Sequence, residues 1–326
     1  MNVTLRFASV IRPRRQTSQT RRLAALTAGL FLAALSVNAV PAAAAPPGFA
    51  FLEIPAGARA SALGGAYSSL ARGADAAFWN PAGLGGTTRF QVSGNHAELD
   101  QQLRYDAVAL AGRLWGGGYG MSMRALYSEA IEARDELGNL TGSFGAHDLE
   151  FALSYGHAVG SGLALGGSAQ IVRERIADVA AQTYGFNFGA TLDPGVLPGM
   201  RLSLGVHNVG PAARYTFDDI PGEDVGLPMR LHSGASVTRL VGSGLTLRGA
   251  VEGSFTSGRP GRGAIGAEVA NLGGAALRAG WRFNDASADL TLGAGFATKA
   301  LSFDYAFIPL DLNLGESHRF SIGREF

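Results

Sequence analysis

From Arg89 onward the chain repeats one design, with apolar residues at every second position and small or polar residues between them. The clearest stretch is Thr183 to Asp193. Tyr184, Phe186, Phe188, Ala190 and Leu192 occupy one set of alternate positions, and Thr183, Gly185, Asn187, Gly189, Thr191 and Asp193 occupy the other. Successive side chains of a strand point to opposite sides, so this period of two predicts a strand with one greasy and one hydrophilic face. Leu202, Leu204 and Val206 alternate in the same way with Arg201, Ser203 and His207, and Leu290, Leu292 and Phe296 with Asp289, Thr291 and Gly295. So do Leu301, Phe303, Tyr305 and Phe307 with Ser302 and Asp304, and Leu149, Phe151, Leu153 and Tyr155 with Glu150 and Ser154.

A soluble sandwich alternates too, so segment length and connections decide the architecture. About fourteen segments of roughly nine to eleven residues can be marked, the length a tilted strand needs to cross a bilayer. They start near Arg89, Leu103, Gly117, Leu149, Gly162, Thr183, Met200, Pro228, Gly244, Arg262, Gly274, Ala288, Lys299 and Ser317. Short, mostly Gly-rich junctions such as Trp115 to Gly117, Val159 to Gly162, Pro194 to Gly199, Val241 to Gly244, Asn271 to Gly274 and Thr298-Lys299 alternate with longer ones. The longer ones include Ser128 to Asp148, Asn208 to Leu227 and Ile308 to Glu316. Transmembrane barrels have short periplasmic turns and long outer loops, and an even strand count returns the chain to the periplasmic side. The expected fold is therefore all-β, a fourteen-stranded antiparallel transmembrane barrel in the outer membrane over residues 89–326.

The last segment, His318 to Phe326, alternates to its final residue. Phe320, Ile322 and Phe326 are predicted to face lipid, with the stem of Arg324 snorkelling at the interface. This C-terminal strand makes the barrel-assembly machinery an expected partner, alongside outer-membrane lipid. Ahead of the barrel, residues 45–88 break the pattern. Phe51, Leu52 and Ile54 begin the stretch, Ala58 to Ala77 suits short helices, and Asn80-Pro81-Ala82-Gly83-Leu84 supplies turn chemistry. A segment so placed is expected to fold back into the barrel as a hatch. Residues 1–44 read as a signal peptide. Arg6, Arg12, Arg14, Arg15, Arg21 and Arg22 precede the apolar run Leu23 to Val37, and Ala42-Ala43-Ala44 offers a small-residue cleavage site.

Composition sharpens this picture in three places. Forty-seven glycines among 326 residues, without a collagen period, sit inside the alternating stretches and favour β architecture. Zero cysteines remove disulfides, thiolate metal sites and cysteine nucleophiles. A net charge of +1 with 16% charged residues excludes a strongly basic nucleic-acid binder. Gly261 to Gly266 matches G-x-G-x-x-G, but within an alternating strand rather than a strand-turn-helix unit, so no dinucleotide cofactor is expected. The six histidines lack ligand spacing and no nucleophile elbow occurs, so neither a metal site nor a catalytic residue is predicted. The charges assigned to the inner face are Glu150, Arg201, Arg248, Glu252, Glu268, Arg278, Arg282, Asp289 and Asp304. Such charges pair to fill a barrel or tune a channel, and Arg59 in the hatch is a candidate partner.

The stretches Ile54 to Tyr67, with Arg59, Gly64 and Gly65, and Ala74 to Leu84, with Asn80, Pro81, Ala82 and Gly83, resemble the N-terminal block of the PorV/PorQ family, itself related to FadL-type fatty-acid transporters. The likeness recurs in His207 to Pro211, Leu227 to Arg230, Asp304 to Phe307 and Leu314 to Arg319. It implies a fourteen-stranded outer-membrane barrel with an N-terminal hatch. Some PorV-like members act in type IX secretion on exported cargo or at the translocon, while FadL relatives conduct hydrophobic molecules. The favoured expectation is a secretion-associated or transport-accessory barrel without catalytic activity. The alternative is a FadL-like conduit for a hydrophobic ligand such as a long-chain fatty acid, which requires an apolar pocket under the long loops and a lateral opening. A soluble periplasmic β-protein is the remaining rival.

Overall fold

A computed structural model describes residues 47–99, 103–160, 162–217, 220–311 and 315–326, and the predicted signal segment lies outside them. The strands are β1 (Gln91–Glu98), β2 (Leu103–Leu114), β3 (Gly117–Ser128), β4 (Ile131–Arg134), β5 (Leu140–Phe144), β6 (Ala146–Gly160), β7 (Leu163–Ile176), β8 (Val179–Leu192), β9 (Met200–Val209), β10 (Ala213–Phe217), β11 (Ile220–Val225), β12 (Arg230–Val241), β13 (Leu245–Thr256), β14 (Arg262–Asn271), β15 (Ala275–Phe283), β16 (Leu290–Ala297), β17 (Leu301–Pro309) and β18 (Glu316–Glu325). All but the hairpins β4–β5 and β10–β11 form a ring of antiparallel neighbours. It closes where β18 returns to β1, with Gln91 opposite Glu325. The expected fourteen-stranded barrel is the fold.

Its burial is inside out. On β8, Tyr184 and Phe188 are each 55% exposed while Thr183, Asn187 and Thr191 are buried. Leu153, Ile171, Val251, Leu277 and Phe303 are likewise exposed around the wall. A continuous apolar exterior of this extent is untenable in water and suits the hydrocarbon of a bilayer, which argues against the soluble rival.

The strands differ from expectation chiefly at the long-connection end. β6 begins at Ala146 rather than Leu149, and β8 at Val179 rather than Thr183. The connection between β7 and β8 is only the turn Ala177-Asp178, with Ala177 at φ 51°. The greasy face ends at Leu149, Ile171 and Tyr184, but ladder bonding continues through exposed His147, Arg173, Arg175 and Gln182. Apolar periodicity therefore ran out before the strands did. The long connections Ser128 to Asp148 and Asn208 to Leu227 are not plain loops either, since they carry β4–β5 and β10–β11.

Residues 48–86 fill the lumen. The segment enters at the long-connection end, where Gly48 N donates to Gly226 O at 3.1 Å. It leaves at the short-turn end, where Gly85 packs on the His157-Ala158 backbone. It contains short helices at Ala58–Ala62 and Ala76–Trp79 and single 3-10 turns at Ala50–Glu53, Gly73–Asp75 and Pro81–Gly86. Leu63, Tyr67, Trp79 and Leu84 pack with Tyr105, Ala107 and Ala109 of β2, so the hydrophobic core lies between segment and wall. Gly156, Gly166 and Gly189, one each on β6, β7 and β8, form the track on which Asn80 and Pro81 lie, and a Cβ at any of them would collide with those two residues.

Candidate functional site

Glu268 organises the middle of the lumen. It is 2% exposed, and its carboxylate accepts from Arg59 Nε at 2.8 Å, from Arg278 Nε at 2.6 Å and from Arg248. Register explains why, because Arg248, Glu268 and Arg278 stand opposite one another on β13, β14 and β15 and all point inward. Arg278 Nη1 also lies 2.7 Å from Asp304 Oδ1. Arg59 of the lumen segment is thereby fixed to the wall by charge-assisted bonds.

The other inner-face charges fall around this network. Glu150 lies 2.9 Å from Arg124, off-axis for a hydrogen bond, and Arg124 donates to the carbonyls of Leu52 and Phe78 at 3.1 Å each. Glu252 accepts the amides of Tyr67 at 3.1 Å and Ser68 at 2.9 Å. Arg201 stays outside the network, making a two-point fork with Asp193 at 2.6 and 2.7 Å beside a short turn. That fork holds the Asp193 carboxyl below its ordinary range. Asp289 lies in the turn just before β16, exposed and in none of the ion pairs described.

The motif residues hold the segment's shape. Gly64 and Gly65 adopt φ of 69° and 87°, and Gly64 lies against the Trp281 backbone where a Cβ would be 3.2 Å from its amide and carbonyl. Asn80 caps the turn Pro81–Gly86 by accepting Ala82 N at 3.0 Å. Its amide also donates to Ala190 O of β8 and Leu204 O of β9. Ala82 and Gly83 are buried within that turn, Gly83 against the Ala71 carbonyl. Phe320, Ile322 and Phe326 are 51%, 50% and 59% exposed on the outer surface, and Phe326 N donates to Phe90 O at 2.9 Å.

Among the described residues, the segment has a chamber on each side of it. One, of about 270 Å³ at the long-connection end, is lined by Arg230, Arg259, Arg262, Arg282 and Arg319 together with Glu53, Glu252 and Asp285. The other, of about 510 Å³ at the short-turn end, is lined by Arg59, Arg72, Arg201 and Arg248 with Asp75 and Asp193. A single turn parts them: Gly64 and Gly65 face the first chamber, Tyr67 and Ser69 the second. In the first, burial alone would raise the Asp285 carboxyl, but hydrogen bonds from Ser287 and the nearby Arg282 hold it low.

The wall itself has a seam. β9 pairs with β8 from Leu192 only to Phe186, with a register shift at Asn187, opposite which Asn208 takes φ 60°. Beyond this, β10 touches β8 at Thr216 and Ala180. From Ala181 to Gly185, β8 thus has β7 on one side and no ladder partner among the described residues on the other. Gly210 and Pro211 pass there, with Thr183 Oγ1 donating to Pro211 O at 2.9 Å. Directly inside sit Phe49, Phe51, Leu52, Val172 and Leu227, all buried.

Sequence reasoning missed both features. Arg319 was recoverable by parity, being next to outward Phe320, whereas Arg230 and Arg262 are the first residues of their strands and Arg259 lies in the turn before β14, where alternation names no face. The seam depends on where pairing stops, which no residue pattern encodes. Among the described residues no group of three or more His, Asp or Glu is placed to hold a metal ion.

The profile of an uncharacterised protein family, UPF0164, matches residues 34–178. No curated protein matches the chain. Solved structures with the same fold include the Pseudomonas putida toluene transporter TodX, at 12% identity and TM-score 0.57 over 83% of this chain and 98% of that one. The monoaromatic hydrocarbon channel CymD follows at 13% and 0.55, over 84% and 98%. A Pseudomonas aeruginosa FadL homologue gives 13% and 0.53 over the same shares. These neighbours are transport barrels, and the likeness at such identity is one of fold.

Proposed function

We propose that the protein is an outer-membrane conduit for small hydrophobic molecules of the FadL-like kind, exported on residues 1–44, with residues 45–88 as a hatch that shuts the axial path. The seam beside β8 carries this reading. Among the described residues, β8 lacks a ladder partner on this side from Ala181 to Gly185, and the side chains behind it are apolar, so a hydrophobic solute could leave sideways into lipid without crossing the Glu268 ion pairs. The arginine-lined chamber is not the apolar pocket such a conduit was expected to show; the apolar surface lies beside it, in Phe49, Phe51, Leu52 and Leu227. The neighbours' names supply the solute class, monoaromatic hydrocarbons and toluene.

The chain has no cysteine, so the seam can be locked cleanly with Thr183→Cys and Pro211→Cys. Oxidised, the pair should lower toluene uptake by cells to the level of a strain without the barrel, and reductant should restore it. Equal uptake in both states, with the cross-link verified by mass spectrometry, would remove the reading.

A second reading, the secretion-associated accessory of PorV/PorQ type, is favoured by one observation. The β4–β5 hairpin projects beyond the strand ends with Leu137 86%, Leu140 62% and Ile131 41% exposed, the surface of a docking arm. Purification in mild detergent with and without residues 131–144 tests it. Recovery of lipid or fatty acid alone with the intact chain would sink it.

A further inference from the structure

We infer that the chamber at the long-connection end binds a compact oxyanion carrying more than one negative charge, of the phosphate, sulfate or short dicarboxylate class. The inference stands apart from the route proposed above. Five guanidiniums line the chamber against three carboxylates, and each carboxylate is already engaged. Glu53 is taken by Arg259 at 2.6 Å and Arg262 at 3.7 Å. Glu252 accepts the two backbone amides of the partition turn. Asp285 accepts the amide and hydroxyl of Ser287 at 2.9 and 2.6 Å, leaving Arg282 no closer than 3.8 Å.

Three arginines have no carboxylate within hydrogen-bonding distance among the described residues. Arg230 makes no hydrogen bond or ion pair there. Arg282 is 8% exposed and its Nη2 has no partner. Arg319, 7% exposed, meets only neutral oxygens, Pro55 O and Ser61 Oγ at 3.0 Å each and Ser317 Oγ at 3.4 Å. Buried charge left without a direct hydrogen-bonded partner is unfavourable, and the planar guanidinium fork matches oxyanions in geometry as well as sign. The three converge on one cavity whose volume, about 270 Å³, holds an ion of this class with several waters. An amphiphile's head is a poorer fit, because five guanidiniums line the chamber and none of Phe49, Phe51, Leu52 or Leu227 reaches it, Ile54 being the lining residue that packs against that apolar cluster.

The test is isothermal titration of sodium phosphate and of sodium sulfate into the full-length mature barrel in detergent. A single saturable site is expected, weakening as sodium chloride is raised. Arg282→Gln and Arg230→Gln should each weaken it by about tenfold or more, while Arg173→Gln on the outer wall should leave it unchanged. Arg282→Lys keeps the charge but not the fork, and should fall between the wild type and Arg282→Gln. A heat-modifiable gel shift establishes that each variant is folded. Absence of saturable heat with either anion, or binding unaltered in both glutamine variants, would overturn the inference. So would octanoate binding more tightly than phosphate, since the anion would then be an amphiphile's head.

Discussion

At the scale of single residues, the lumen is governed by polar groups whose partners come from distant sequence. Glu268 joins Arg59, 209 positions earlier, to Arg248 and Arg278 on flanking strands. Removing one member of such a buried set strands the rest, at a cost of about 3–5 kcal/mol. Glu268→Ala should therefore lower the urea midpoint of the refolded barrel and make Arg59 accessible to protease before the wall opens. Asp193 gives a pH-dependent counterpart. Its fork with Arg201 depresses its folded pKa, so the stability it contributes is present above the unfolded carboxyl value of ~3.9 and is lost as pH falls through the folded value. Thermal midpoints of wild type and Asp193→Asn should differ at neutral pH and converge in acid. The pairing tendency of these charges was legible in their inward parity. Which acid meets which base was not, because parity fixes a face and not a register, and Asp289, in the turn before β16, joins none of the ion pairs described.

Elements divide by what they touch. Wall strands were readable because lipid outside and a polar lumen inside impose opposite chemistry on alternate residues, so even approximate segment starts fell close to the observed ones. Val251, 49% exposed on the outer face of β13, should accept arginine poorly. Val251→Arg is expected to destabilise the barrel by about 2–4 kcal/mol near the bilayer midplane, measured by urea titration in lipid vesicles. Glycines read differently. Many look like ordinary small residues of an alternating strand, yet Gly156 and Gly166 are in place because the Pro81-Ala82 backbone lies directly on them, and Gly189 because the Asn80 side chain and Pro81 ring do. Gly166→Val should loosen the turn Pro81–Gly86 by about 1–3 kcal/mol, seen as faster hydrogen exchange there with the ladders of β6 to β8 unchanged. The hairpins β4–β5 and β10–β11 escaped notice because both lie outside the apolar band, where alternation is no longer enforced.

For the whole molecule, the apolar exterior and polar interior lead to one further expectation. Expressed with its first 44 residues, the protein should be recovered from the detergent-extracted outer membrane as a heat-modifiable band whose mass begins at Ala45, and its appearance in the osmotic-shock fluid would contradict a lipid-facing barrel. The route of a solute belongs to this scale too, because chambers, partition and seam exist only once the ring has closed around residues 48–86. By itself the chain's pattern determined the class of fold, the number of wall strands, their inner and outer faces and a separate N-terminal segment, since each follows from the solvent that adjacent residues meet. Only the tertiary structure decided that this segment threads the lumen from the long-connection end to the short-turn end, that five arginines converge above it, and that the ladder lapses beside β8. Those facts depend on register and closure between residues far apart in the chain, where local periodicity carries no information.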